Sequence, residues 1–147
     1  MARSPLRLAQ GLLLAPVVFH CPGRHVSHRL TFVVDTGSSR TFLSWSDARE
    51  MGIDFDSLPQ ADRAVAGIGG VAETRKVLEA CFLYLEFDDG KVESVAFPEG
   101  LQVYRIPSKK GKSLAPAPSL LGHDFMERSG WTLLLDFARK RLEFEKR

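Results

Sequence analysis

Apolar residues in this chain come in short runs, each cut off by a turn signal, and this spacing suits strands rather than long helices. The clearest run is Arg29-Leu-Thr-Phe-Val-Val34, rich in β-branched and aromatic residues, which stops at Asp35-Thr36-Gly37-Ser38-Ser39. Residues 6 to 20 read as extended, with Pro16 suited to an edge or bulge, and Pro22-Gly23-Arg24-His25 reads as a turn. Thr41 to Ser44 resumes a strand, and Ser46 is placed to cap a short helix over Asp47 to Met51. Two further strands are expected over Thr74 to Phe87 and Val92 to Phe97, joined by a hairpin at Asp88-Asp89-Gly90. Strands follow at Leu101 to Ile106, Trp131 to Phe137 and Arg141 to Glu145, with a short helix at His123 to Arg128 and a flexible loop over 107 to 118. The expectation is a single all-β domain over 1–147, a closed barrel with one short C-terminal helix.

The 147 residues suffice to bury a core without disulfide staples. A formal net charge of +2 gives no field that would favour nucleic acid or an acidic lipid surface, so neither is expected as a partner. Gly11 to Phe19 could pass for a short signal peptide, but Pro16 interrupts it and no small-residue cleavage pattern follows, so it reads as strand. Cys21 and Cys81 have no zinc spacing and sit beside apolar runs. They read as buried reduced thiols, which favours a cytoplasmic location, although a single bridge between them stays open.

Chemistry concentrates at Asp35. A carboxylate at the end of a run buried on both faces (Leu30, Phe32, Val33, Val34) is costly unless something pairs or uses it. Gly37 lets backbone approach the carboxylate, and the hydroxyls of Thr36 and Ser38 stand beside it as donors that would favour its ionised form. Alone, an Asp-Thr-Gly tripeptide is an ordinary turn. Its surroundings are not ordinary: Phe-Val-Val-Asp-Thr-Gly-Ser-Ser-Arg-Thr-Phe-Leu-Ser, then the glycine-rich Gly67-Ile68-Gly69-Gly70, then Ser119-Leu120-Leu121-Gly122-His123-Asp124-Phe125-Met126.

These elements, in this order, resemble the catalytic loop, flap, apolar-apolar-Gly strand and helix of the retroviral-type (retropepsin-like) aspartic proteases. The resemblance implies a compact acid-protease barrel, a two-fold homodimer, and hydrolysis of peptide bonds with no metal and no other cofactor. It implies that Asp35 activates water with its symmetry mate and that Thr36 holds the two loops together across the dimer. It also implies that Gly37 permits the close approach, and that Ser38, Ile68, Gly69 and Gly70 contact a peptide or protein substrate. His123 stands where the family usually has Arg, and the flap has no Tyr.

General acid–base attack on an amide needs one carboxylate and one carboxylic acid, and two close carboxyls share a single proton, as is established for aspartic proteases as a class. This chain has one Asp-Thr-Gly and no internal duplication, so a second copy must supply the partner acid. Apolar subsites are expected from Val33, Phe42 and Ile68. His20, His25 and His28 lack the further ligands a metal would need, and Trp45 and Trp131 read as packing residues. The competing readings are a non-catalytic retropepsin-fold module for peptide binding or dimerisation, and an unrelated barrel in which Asp-Thr-Gly is only a turn.

Overall fold

The computed structural model describes residues 1–61, 65–67, 70–106 and 117–147. Among the described residues thirteen strands form two sheets, with two short helices packed on them. β1 (Ala2–Pro5) pairs with the last strand, β13 (Arg141–Lys146), which also pairs with β12 (Thr132–Asp136), giving an antiparallel three-stranded sheet.

The large sheet begins with β2 (Arg7–Ala9) and β3 (Leu12–Cys21). Residues 6 to 20 are thus not one extended segment. Gln10 (φ 52°) and Gly11 (φ 77°) make a two-residue left-handed turn of the type that matches the twist of a hairpin. Pro16 lies where one side of β3 has no partner, between the register of β2 (12–14) and that of the later strand β8 (18–20). That is the kind of position its missing N–H allows.

A 3₁₀ turn at Pro22–Arg24 leads to β4 (Val26–Val34), antiparallel to β3. After the loop at 35–41 come β5 (Phe42–Ser44) and helix α1 (Trp45–Glu50). The cap of α1 is Ser44, whose hydroxyl accepts from Asp47 N, and not the expected Ser46. β6 (Val65–Gly67) and β7 (Gly70–Val77) pair as antiparallel arms. β8 (Cys81–Glu86), β9 (Val92–Phe97), β10 (Leu101–Arg105), β11 (Ser119–Leu121) and helix α2 (His123–Ser129) follow. The expected strand over Thr74 to Phe87 is two strands, because the chain turns a corner at Leu78–Ala80 and changes partners, β7 pairing with β10 and β8 with β3 and β9.

The large sheet runs in the order β6-β7-β10-β5-β11-β4-β3-β8-β9. Its two ends do not pair with each other, so the barrel expected from the sequence is not closed. The three-stranded sheet stands beside it, joined through Arg3 N–H to Asp88 Oδ1 (2.8 Å) and Asp88 N–H to Arg3 O (2.8 Å). The core alternates as strands require: Ala15, Val17 and Phe19 from β3 meet Leu83 and Leu85 from β8 and Val95 and Phe97 from β9. In β4 the alternation gives way to consecutive buried residues, Phe32, Val33 and Val34, so both faces of its end are covered. Trp131 packs edge-on to Phe87 (4.8 Å between ring centroids) and Phe125 (5.8 Å), tying α2 to the β8–β9 turn. Among the described residues no helix is long and apolar enough to cross a membrane.

Candidate active site

β11 threads between β4 and β5, and this crossing builds the site. It lies parallel to β4 (Ser119–Phe32, Leu120–Val33, Leu121–Val34) and touches β5 through Leu120 and Phe42. The chain leaves β4 at Val34, makes the turn bearing Asp35, and enters β5 on the other side of β11. The turn is therefore fixed at its root by the sheet. Asp35 N–H donates to Leu121 O (2.9 Å), and Ser38 N–H closes the turn on Asp35 O (3.1 Å).

The N-terminus of α2 clamps the far side of the turn. His123 N–H donates to Ser38 O (2.8 Å) and Asp124 N–H to Ser39 O (3.3 Å). The His123 side chain adds a third clasp, its Nε2 on Thr36 O; a carbonyl only accepts, so Nε2 is the donor. Behind these contacts Thr41 Oγ1 donates to Asp124 Oδ1 (2.6 Å) and accepts from the buried Gly122 N–H (3.1 Å). A Cβ on Gly122 would stand 2.2 Å from Arg40 O and 2.4 Å from Arg40 C, so only glycine lets α2 start this close to the turn.

A second polar layer lies under β5. The buried Ser119 hydroxyl accepts from Ser44 N–H (2.9 Å) and donates to Asp47 Oδ2 (2.6 Å). Tyr104 OH donates to Pro118 O. Burial first, then the negative charges of Asp47 and Asp35, push the Tyr104 phenol up to about 12.

The sequence-derived candidates fall out as follows. Asp35 is half-buried, Thr36 and Gly37 are exposed, and Ser38 is half-buried on the same turn. The donor to the Asp35 carboxylate is the Gly37 N–H (3.0 Å to Oδ1). The Ser38 hydroxyl does not serve as expected, because it donates to Arg40 O (2.7 Å). The strict demand for glycine is at Gly122 and not at Gly37, where an added Cβ would meet only Asp35 Oδ1 at an ordinary 3.4 Å. Val33 and Phe42, expected as subsite walls, are buried in the single chain, with Phe42 edge-on to Tyr104. Gly70 opens β7 opposite Gly67, while Ile68, Gly69 and most of the 107–118 loop lie outside the described residues. Among the described residues no three His, Cys, Asp or Glu side chains gather in a metal-binding group.

Sequence reasoning passed over Thr41, Ser119 and Asp47. Their hydroxyl and carboxyl groups looked like strand and helix-start residues, and only the crossing of β11 brings residues about eighty positions apart into one network. The position of Thr41 just after the loop was the one available signal.

The family model described as aspartyl protease matches residues 21–125. No match was found among curated proteins. A retropepsin-like aspartic protease from Rickettsia conorii is similar in structure, with a TM-score of 0.55 and 20% identity over 98% of this chain and 88% of that one. The EIAV protease complexed with the inhibitor HBY-793 aligns with a TM-score of 0.48 and 18% identity over 83% of this chain and 91% of that one.

Proposed function

The chain belongs to the aspartyl protease family, and from that premise we propose that it is a homodimeric endopeptidase, one protease domain per 1–147 chain, that activates water between two Asp35 carboxyls. The observation that carries this reading is the turn itself. Its backbone is held from β11 on one side and from α2 on the other, while among the described residues the Asp35 side chain takes one hydrogen bond, from Gly37 N–H to Oδ1, which leaves Oδ2 for chemistry.

In this reading a water lies between the two acids. The ionised carboxyl accepts its proton as the oxygen attacks the peptide carbonyl carbon, and the protonated carboxyl donates to the carbonyl oxygen. Collapse of the resulting diol breaks the C–N bond as the amide nitrogen takes a proton back. A clamped turn suits this role, since acids held within a fraction of an ångström need no reorganisation at the barrier. Thr36, exposed on the turn, would join the two loops across the axis. Ser38 and the Ile68-Gly69-Gly70 segment would hold an extended peptide as an added strand. The edge strand of the three-stranded sheet, β12, carries the exposed Leu135, with the exposed Phe137 just beyond its end, and supports an interface between protomers there. The two free thiols fit a reducing, cytoplasmic setting.

Asp35→Asn tests the reading. It should leave the fold and the sedimentation of the dimer unchanged and remove cleavage of a peptide library, while a statine-type inhibitor should bind the wild type. Equal cleavage by wild type and variant would overturn the assignment. Inhibitor binding without cleavage by the wild type would favour the non-catalytic module instead.

A further inference from the structure

Cys21 is the last residue of β3 and Cys81 the first of β8. The two strands pair as Val18–Tyr84, Phe19–Leu83 and His20–Phe82, and the next rung sets Cys21 directly opposite Cys81. Both side chains are fully buried and point to the core on the same face as Phe19 and Leu83. Both are free. Directly opposed residues on antiparallel strands have Cα atoms roughly 4.5–5.5 Å apart, inside the span of about 4.4–6.8 Å that a disulfide bridges.

The pair sits at a structural junction. Cys81 follows the Leu78–Ala80 corner, where the chain leaves β7, and its thiol donates to Glu79 O (3.4 Å). Glu79 reaches back to Arg24, in the turn that follows Cys21, with a 2.8 Å ion pair. Gly23 packs against the Glu79 side chain, where a Cβ would approach to 3.0 Å. Gly100, at φ +85°, leaves no room for a Cβ beside Val77 O. A bond between the cysteines would therefore pin the end of β3 to the root of the β6–β7 hairpin.

We propose that Cys21 and Cys81 are a dithiol–disulfide couple, a modification site at which a small disulfide such as glutathione disulfide drives formation of a cross-strand bond. One protein thiol gives its proton to solvent and attacks the small disulfide, releasing one glutathione and leaving a mixed disulfide. The second protein thiolate then displaces the other glutathione. Two thiols are oxidised, one disulfide is reduced to two thiols, and the two protons leave with the glutathiones. Burial, and then the neighbouring Cys21, hold the Cys81 thiol protonated, so reaction in the folded chain waits on opening of the corner. The inference does not depend on protease activity.

The test is to hold the reduced full-length chain in buffers of graded glutathione-to-glutathione-disulfide ratio, both folded and during refolding from denaturant, and to count thiols by alkylation and mass. The expected result is joint loss of both thiols within one chain, a mass lower by two hydrogens with no glutathione retained, reversal by dithiothreitol, and a higher thermal midpoint for the oxidised form. Oxidation on refolding alone supports the pair and shows that opening limits access. Cys21→Ser should abolish the midpoint rise. Two thiols surviving at every ratio in both arms, a stable glutathione adduct on the wild type, or bridges between chains would overturn the proposal.

Discussion

Gly122→Ala isolates the contact that holds the turn bearing Asp35 against α2. The new Cβ would lie 2.2 Å from Arg40 O, 2.4 Å from Arg40 C and 2.8 Å from Arg40 N, all backbone atoms of one residue, so no side-chain rotation relieves it. Restoring even a tight 3.0 Å contact requires the turn and α2 to part by about 1 Å. The bonds that bridge them, His123 N–H to Ser38 O at 2.8 Å and Asp124 N–H to Ser39 O at 3.3 Å, would stretch to roughly 3.8 Å or more, beyond hydrogen-bonding range. Two lost backbone bonds at about 1 kcal/mol each, plus overpacking strain of about 1–3 kcal/mol, give a destabilisation on the order of 3 kcal/mol. For a chain of this size that is a fall of roughly 6–12 °C in thermal midpoint. A displacement of about 1 Å at Asp35 should also lower kcat on the order of 100-fold. Gly52→Ala is the control. Gly52 has φ +79° but nothing within 4 Å of its Cβ position, so strain of about 1 kcal/mol should appear with no change in kcat. Thermal melts and peptide-cleavage kinetics on the three proteins decide the matter. A Gly122→Ala midpoint no lower than that of Gly52→Ala, with kcat intact, would refute the close approach.

Two further outcomes follow from the polar contacts. Thr41→Val keeps the shape of the side chain but leaves the buried Gly122 N–H without its acceptor. It should cost about 1–3 kcal/mol in urea unfolding, with Thr41→Ser close to wild type. Tyr104, raised to about 12 by burial and by Asp47 and Asp35, is held neutral by the fold. Its contribution is fully present below the ordinary phenol value of about 10 and is lost as the pH climbs towards 12. Phenolate absorbance should show one late-titrating tyrosine that Tyr104→Phe removes, and that variant should flatten the loss of thermal midpoint above about pH 10. Absence of any phenol titrating above about pH 11 contradicts the burial argument.

Much of the architecture was legible because strand signals are local. β4, β5, β9 and β10 fall within a residue or so of expectation, or extend it at one end as β4 does, since β-branched runs ended by Asp, Gly or Pro leave few alternatives. The errors came where a turn lacked a strong local mark. Gln10-Gly11 hid a hairpin, and the corner at Leu78–Ala80 contains neither Gly nor Pro, so two strands with different partners looked like one. The closed barrel failed for a related reason, since nothing in a strand's own residues states whether the outer edges of β6 and β9 meet.

At the candidate site the division is sharper. Asp35, Thr36 and Gly37, and the Leu120-Leu121-Gly122-His123-Asp124 segment, stood out in the sequence because acids and glycines at the ends of apolar runs are costly and so informative. Which of those residues bears the steric demand was decided by the fold. Gly37 has room for a Cβ and Gly122 has none, because β11 carries Gly122 against Arg40 from more than eighty residues away. The same passage of β11 brings Thr41 onto Gly122 and Asp124 beside the turn and Ser119 onto Asp47 beneath β5, and the register of β3 on β8 carries Cys21 towards Cys81. Residue chemistry and short-range spacing are written along the chain. Contacts between distant segments depend on register and crossing, which exist only once the strands have paired.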